Sequence, residues 1–275
     1  MGLSRAGIIP AIVLLFSWSA FAQQGPSADA LPQTLPEAPL PVIAESTSQS
    51  SATVSDPNTI VRLPQHVLGD EKAILLSPFK LRTHDLKWLV PFAGATAASL
   101  ATDHYTMHDV ITQDGPWNQA NINTSNVLLG SLVVVPVGMY AYGRFGGHEY
   151  PRETGMLVAE AGADAVITEQ ILKLATWRER PYQDNQRGQF YKSIAGFNSS
   201  FPSSHTVVAW STASVLASRY PSKWVALAVY TAATGVSLTR VLGQQHFPSD
   251  VLVGSASGWL IGHYVAKVHK RLDRN

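Results

Sequence analysis

Six apolar stretches set what this chain can fold into. They lie near residues 88–102, 126–143, 155–176, 205–218, 224–240 and 250–266. Strand signals between them are few, so the expected class is all-α, a helical bundle of about six core helices. In the last stretch Gly254, Gly258 and Gly262 recur at every fourth position. That spacing lays a smooth strip along one helix face and predicts close packing against another helix.

The groups able to do chemistry cluster where these stretches begin or end. Arg240 falls at the end of the fifth stretch, and His246 and Asp250 bracket the Pro248-Ser249 pair that opens the sixth. Proline with a preset φ and serine as a cap both favour a helix start there. A histidine can attack phosphorus through one ring nitrogen only if the other is held as a donor, and a carboxylate such as Asp250 commonly fixes that tautomer. Phe201-Pro-Ser-Ser-His205 opens the fourth stretch, placing Ser203, Ser204 and His205 at a helix N-terminus, where backbone N–H groups favour an anion. Lys173-Leu-Ala-Thr-Trp-Arg-Glu-Arg-Pro181 closes the third and supplies Lys173 and Arg180. Guanidinium groups grip phosphate oxygens in a bidentate fork.

Lysine, six residues and Arg-Pro, then Pro-Ser-x-His, then hydroxyl-Arg, five residues, His, three residues and Asp: this order resembles the three-part signature of the type 2 phosphatidic acid phosphatase superfamily. That superfamily also includes bacterial non-specific acid phosphatases and vanadium haloperoxidases. The resemblance covers about residues 155–268. Ser204 stands where that pattern has glycine, and a Cβ there is penalised if the loop needs a positive φ. Thr239 replaces the usual serine and keeps the hydroxyl.

Carried over by motif position, the resemblance implies a metal-independent phosphatase with no cofactor. His246 attacks, Asp250 orients it, and His205 protonates the leaving oxygen. Lys173, Arg180, Arg240, the Ser203 hydroxyl and the Ser204 N–H hold the phosphoryl oxygens. The implied partner is a phosphate-ester substrate, a phosphomonoester or pyrophosphate, plausibly a lipid such as phosphatidic acid or an isoprenoid diphosphate. A vanadate-dependent haloperoxidase and a non-catalytic phosphate-binding envelope protein are the alternatives. Arg178 and Arg187 are expected to be solvated charges on the loop 177–200. Trp177, Phe190 and Tyr191 either line the mouth of the site or pack. The i, i+4 pair His104 and His108 is expected to form a hydrated turn rather than a metal site.

Residues 1–22 read as a signal peptide: Arg5 flanks an uncharged apolar run from Ala6 to Trp18, followed by Ala20-Phe-Ala22. Residues 23–59 form a Pro/Ser-rich tether, too polar to offset its conformational entropy and so expected to be disordered. Residues 60–87 read as an amphipathic segment lying on the core or on lipid. The core then runs over 88–268 and a basic tail over 269–275. Cysteine is absent, which removes disulfides, thiol catalysis and Cys-ligated zinc. A net charge of +1 gives no long-range attraction to nucleic acid.

These features predict export to the bacterial cell envelope with a periplasmic active site, the core being either soluble or partly embedded in the inner membrane. Most uncharged runs, at roughly 13 to 16 residues, fall short of a span. The third stretch carries Glu160, Asp164, Glu169 and Lys173, which suits a packed helix. Against that, Arg144, Arg152, Arg219, Lys223, Lys267, Lys270, Arg271 and Arg274 would lie opposite the site, and 103–125 has no Lys or Arg. That asymmetry resembles the positive-inside pattern. Chain parity forbids six spans together with an exported N-terminus and a periplasmic site; five spans, with the first stretch lying in the surface, reconcile all three.

Overall fold

In the computed structural model the described residues are 63–76, 82–193 and 196–272. The expected signal peptide and tether fall outside them, as do residues 273–275. Among the described residues there are seven α-helices and no strand, as the all-α expectation requires. They are α1 (Leu63–Leu76), α2 (Leu86–Tyr105), α3 (Gly115–Gly146), α4 (Glu149–Thr176), α5 (Ser204–Arg219), α6 (Lys223–Leu242) and α7 (Pro248–Leu272).

α5 is the central helix, and its small and β-branched residues explain why. Ala209 and Ala213 meet Leu132 of α3 and Ala233 and Val236 of α6. Val215 and Leu216 meet Leu157, Val158 and Ala161 of α4 and Val265 of α7. Burying one such aliphatic side chain is worth about 1.5–3 kcal/mol, so these two clusters fix α5 between its neighbours. The glycine strip of α7 packs on α5 as expected. A Cβ on Gly258 would stand 2.2 Å from the Val207 carbonyl oxygen, and one on Gly262 would stand 2.3 Å from that of Ser211. Two backbones therefore approach where no side chain fits.

α3 starts at Gly115, well before the expected 126. Gly115-Pro116 is a helix start, with proline at the first turn. The run Asn118 to Asn126 lacks apolar periodicity because its inward face is polar: Asn121 and Ser125 are buried. Their side chains bond back to the helix, Asn121 to the Trp117 carbonyl and Ser125 to that of Ile122. The stretch expected as a loop is thus a helical wall.

α1 packs on α4 through a polar face. Asp70 and Glu71 are buried while Leu68 is 71% exposed. Thr168 of α4 donates to Glu71, and His66 lies 3.7 Å from Glu160. The C-terminal ends of α2, α4 and α6 and the N-terminal parts of α3, α5 and α7 meet at one end of the bundle, and the motif residues converge there.

Candidate active site

α7 begins at Pro248, and its first turn is tied down from two sides. The Ser249 N–H donates to Asp103 Oδ1 of α2 at 3.1 Å, and the Phe247 N–H donates to Asp250 Oδ2 at 2.9 Å. His246, in the turn just before, is 1% exposed. Its Nδ1 lies 2.8 Å from the Ser200 carbonyl oxygen and 3.5 Å from Asp250 Oδ2. A carbonyl only accepts, so Nδ1 carries the proton and Nε2 presents a lone pair. Arg180 Nη1 stands 3.3 Å from that Nε2. From the sequence, Asp250 is the expected partner of the tautomer-fixing bond. In the structure the nearest acceptor is Ser200, whose hydroxyl in turn donates to Asp250 Oδ2 at 2.5 Å.

Trp177 closes α4 in the left-handed region at φ 44 and reverses the chain. Arg178 and Arg180 therefore turn inward over the end of the helix. Arg180 is positioned by Asn198, through the carbonyl at 3.1 Å and Oδ1 at 2.8 Å, and by the Gln245 carbonyl at 3.2 Å. Lys173, 1% exposed, lies 3.0 Å from Glu169 Oε1 one turn earlier. Arg240, at the end of α6, donates to Ser125 of α3 at 3.1 Å, and its buried Nε has no partner. Among the described residues neither Arg180 nor Arg240 pairs with a carboxylate.

α5 begins with Ser203 as its N-cap and Ser204 as its first residue. Ser204 is not among the residues of positive φ, so the serine in place of glycine carries no backbone strain. Its hydroxyl donates to Glu169 at 2.6 Å. Ser203 accepts from Thr206 at 3.0 Å and keeps its own proton free to donate. His205 Nε2 lies 3.1 Å from Asn126 Oδ1 of α3. Thr239 does not face the pocket with its hydroxyl, which donates to the Gly235 carbonyl of its own helix at 2.6 Å.

The electrostatics follow from this crowding. Burial, then the charges of Arg240, Arg180 and Lys173, lower the pKa of His205 from 6.5 to about 3. Burial also lowers that of His246 to about 3, with Arg180 adding to the effect and the Asp250 carboxylate opposing it. For Asp250 burial alone would raise the pKa. The Arg178 charge, the neighbouring His246 ring and the bond from the Ser200 hydroxyl reverse this and hold the carboxyl below its ordinary value. Both imidazoles are therefore uncharged near neutral pH, and Asp250 is ionised.

One expectation fails outright. Arg178 is not a solvated charge: it is 2% exposed, lies over the rings of Phe190 and Phe247, and is bonded to Asp250, Asp103 and Ser249. Nothing in the sequence distance between residues 103, 178 and 250 signals this contact. The nearest clue is Gly188, at φ 61, whose carbonyl accepts from Arg178 Nε and where a Cβ would strike Phe247 at 2.5 Å. Arg187 is exposed, as expected. Phe190 packs on Phe201, while Trp177 and Tyr191 are exposed beside it. His104 and His108 have ring centroids 5.5 Å apart; His104 bonds the Gln186 carbonyl and His108 bonds Asp109. Asp103, expected in that hydrated turn, is instead buried at the site. Ser125 and Asn126, missed because α3 was started too late, bring a third wall to Arg240 and His205.

Residues 154–274 match the family described as the PAP2 superfamily. A 65-residue stretch is 38% identical to the lipid A 1-phosphatase of Porphyromonas gingivalis, a match spanning 23% of this chain and 15% of that relative. The bundle also resembles the crystal structure of the first transmembrane PAP2 type phosphatidylglycerolphosphate phosphatase, from Bacillus subtilis. The TM-score is 0.46 at 20% identity, over 77% of this chain and 96% of that one.

Proposed function

We propose that this chain, whose residues 154–274 match the PAP2 superfamily, is a phosphatase acting on a phosphomonoester or diphosphate borne by a lipid. The observation that carries this reading is a pair of buried guanidinium groups, Arg180 and Arg240, without a carboxylate partner among the described residues, the first of them 3.3 Å from the unprotonated Nε2 of His246. Buried charge of that kind calls for an anion.

The reaction runs in two steps. His246 Nε2 forms a bond to phosphorus as the bond to the leaving oxygen breaks, and His205 gives that oxygen a proton. Water then attacks the phosphohistidine, with His205 taking a proton back and phosphate leaving. Lys173, Arg180, Arg240, the Ser203 hydroxyl and the Ser204 N–H stabilise the equatorial oxygens as charge moves. Asp250 steadies the positive charge that develops on His246. These cations, together with a proton carried by His205, balance the phosphoryl charge with side chains alone, so full turnover in EDTA is expected.

The lipid assignment rests on the outside of the bundle. α3 and α6 are long and apolar enough to cross a membrane, and only 17% and 28% of their most apolar windows are buried within the protein. A core helix would be mostly buried; here Val127, Val133, Val134, Val135 and Val137 of α3 and Trp224, Leu227 and Leu238 of α6 face outward. Arg144, Arg152, Arg219, Lys223 and Lys267 lie at the end opposite the site. This supports placing the site on the periplasmic side of the inner membrane of an exported protein.

The test is a panel of lipid and soluble phosphates on the purified chain. Release of phosphate from lipid phosphates, a phosphohistidine trapped by acid quench at His246, and loss of both in His246→Ala are expected. Turnover unchanged by His246→Ala refutes the assignment.

A further inference from the structure

We infer that Arg178, anchored by Asp103, braces Asp250 from behind and draws the aspartate's charge away from His246, keeping the reacting imidazole uncharged. The inference rests on the reading above that His246 is the nucleophile. It adds two positioning residues outside the three motifs.

The division of Asp250 between its neighbours is the basis. Oδ1 accepts from Arg178 Nη1 at 2.6 Å. Oδ2 accepts from the Ser200 hydroxyl at 2.5 Å and the Phe247 N–H at 2.9 Å, and His246 Nδ1 is more distant, at 3.5 Å. A histidine donating directly to a carboxylate gains basicity. His246 donates to a neutral carbonyl instead, at 2.8 Å.

Arg178 cannot turn from this task. Its Nε is bonded to the Gly188 carbonyl at 3.1 Å, Nη1 also reaches Ser249 Oγ at 2.7 Å, and Nη2 pairs with Asp103 at 2.7 Å. Its Cζ lies 4.2 Å from the ring centroid of Phe247 and 4.9 Å from that of Phe190. Asp103 also bonds the backbone N–H and the hydroxyl of Ser249, so it registers the first turn of α7 against α2. The other charged or titratable groups around His246 are Arg180 from the 177–200 loop, Arg240 from α6, Lys173 and Glu169 from α4, and His205 from α5. Among them the only anion within 4 Å of the ring is Asp250. Whatever weakens the Arg178 claim on that carboxylate hands negative charge to His246.

The two members of the brace must then act with opposite sign. Arg178→Gln leaves Asp250 undivided, so the imidazole of His246 holds its proton to higher pH. Asp103→Asn removes the competing anion, turns Arg178 wholly toward Asp250, and cannot raise it. The experiment titrates His246 by NMR in the full-length protein with isotope-labelled histidine, assigned with His246→Asn, and records kcat/KM against pH for wild type, Arg178→Gln, Arg178→Lys and Asp103→Asn. Expected are a rise of a unit or more in the His246 midpoint, and in the acid limb of kcat/KM, for Arg178→Gln. Partial return in Arg178→Lys and no rise in Asp103→Asn are also expected. A folded Arg178→Gln with an unmoved midpoint overturns the brace, and so does an equal rise in Asp103→Asn. Should Arg178→Gln fail to fold, the Arg178→Lys and Asp103→Asn midpoints decide in the same way. The titration needs no turnover, so a protein inert toward phosphate esters sinks the phosphatase reading without touching this one.

Discussion

His205 is uncharged in the unliganded site and yet must protonate a leaving oxygen, so its proton should arrive with the anion. Its pKa of about 3 lies far below the ordinary 6.5, owing to burial and then to Arg240, Arg180 and Lys173. At pH 6 only about one molecule in a thousand carries the imidazolium. A dianion bound among those cations cancels much of their charge and moves the pKa back toward its ordinary value. The sign follows from linkage. A group whose pKa is higher in the complex than in the free protein strengthens binding fully below the free-state value, and that gain is lost as pH rises toward the bound-state value.

Sulfate is the suitable probe, because its own charge is constant over the range. With one proton taken up, its affinity should weaken about tenfold per pH unit between about pH 4 and pH 6. Calorimetry in buffers of different ionisation heat should count close to one proton bound per sulfate. In His205→Asn both the slope and the proton should vanish while binding at the upper end persists. Sulfate affinity independent of pH in the wild type, with no proton uptake, would refute the reasoning.

Two structural predictions accompany it. Gly258→Ala places a Cβ 2.2 Å from the Val207 carbonyl, so α7 must lift from α5; a loss of about 1–3 kcal/mol in denaturant unfolding and a larger fall in activity than in substrate affinity are expected, since Asp250 rides on α7, His246 on the turn that leads into it, and His205 on α5. Asn126→Ala removes the Nε2 partner of His205; kcat should fall roughly tenfold, in line with a loosened general acid, while sulfate affinity at the upper end of the pH range stays within about threefold.

The helices and most of the pocket were legible because the chain writes them locally. Apolar runs mark α5 and α6 within two residues and α4 and α7 within six, and the motif groups sit at those ends, where a helix terminus aims side chains into shared space. What escaped is non-local or polar. Periodicity counts apolar residues and so places the start of α3 near 126, whereas its first turns, from Gly115, bury Asn121 and Ser125. Gly115-Pro116 was the available signal. Arg178 was read as solvated because one charge on a loop is most often so, and its partners lie 75 residues before it and 72 after. No local pattern encodes an ion pair of that reach.

The charge balance explains why the brace and the proton uptake belong together. Lys173, Arg178, Arg180 and Arg240 bring four positive charges to the site, and Glu169, Asp103 and Asp250 bring three negative ones. The excess of one is too little for a phosphate dianion, which would leave the site one charge negative. A proton on His205 makes up the difference and is the one the leaving group needs. Without Arg178 the unliganded site would be neutral, with its unshared carboxylate against His246, and dianion binding would then require two protons. The second would settle on His246 and remove the nucleophile. Arg178→Gln should therefore bind sulfate with close to two protons rather than one at about pH 5, and a count that remains near one would show that Asp250 keeps its charge to itself.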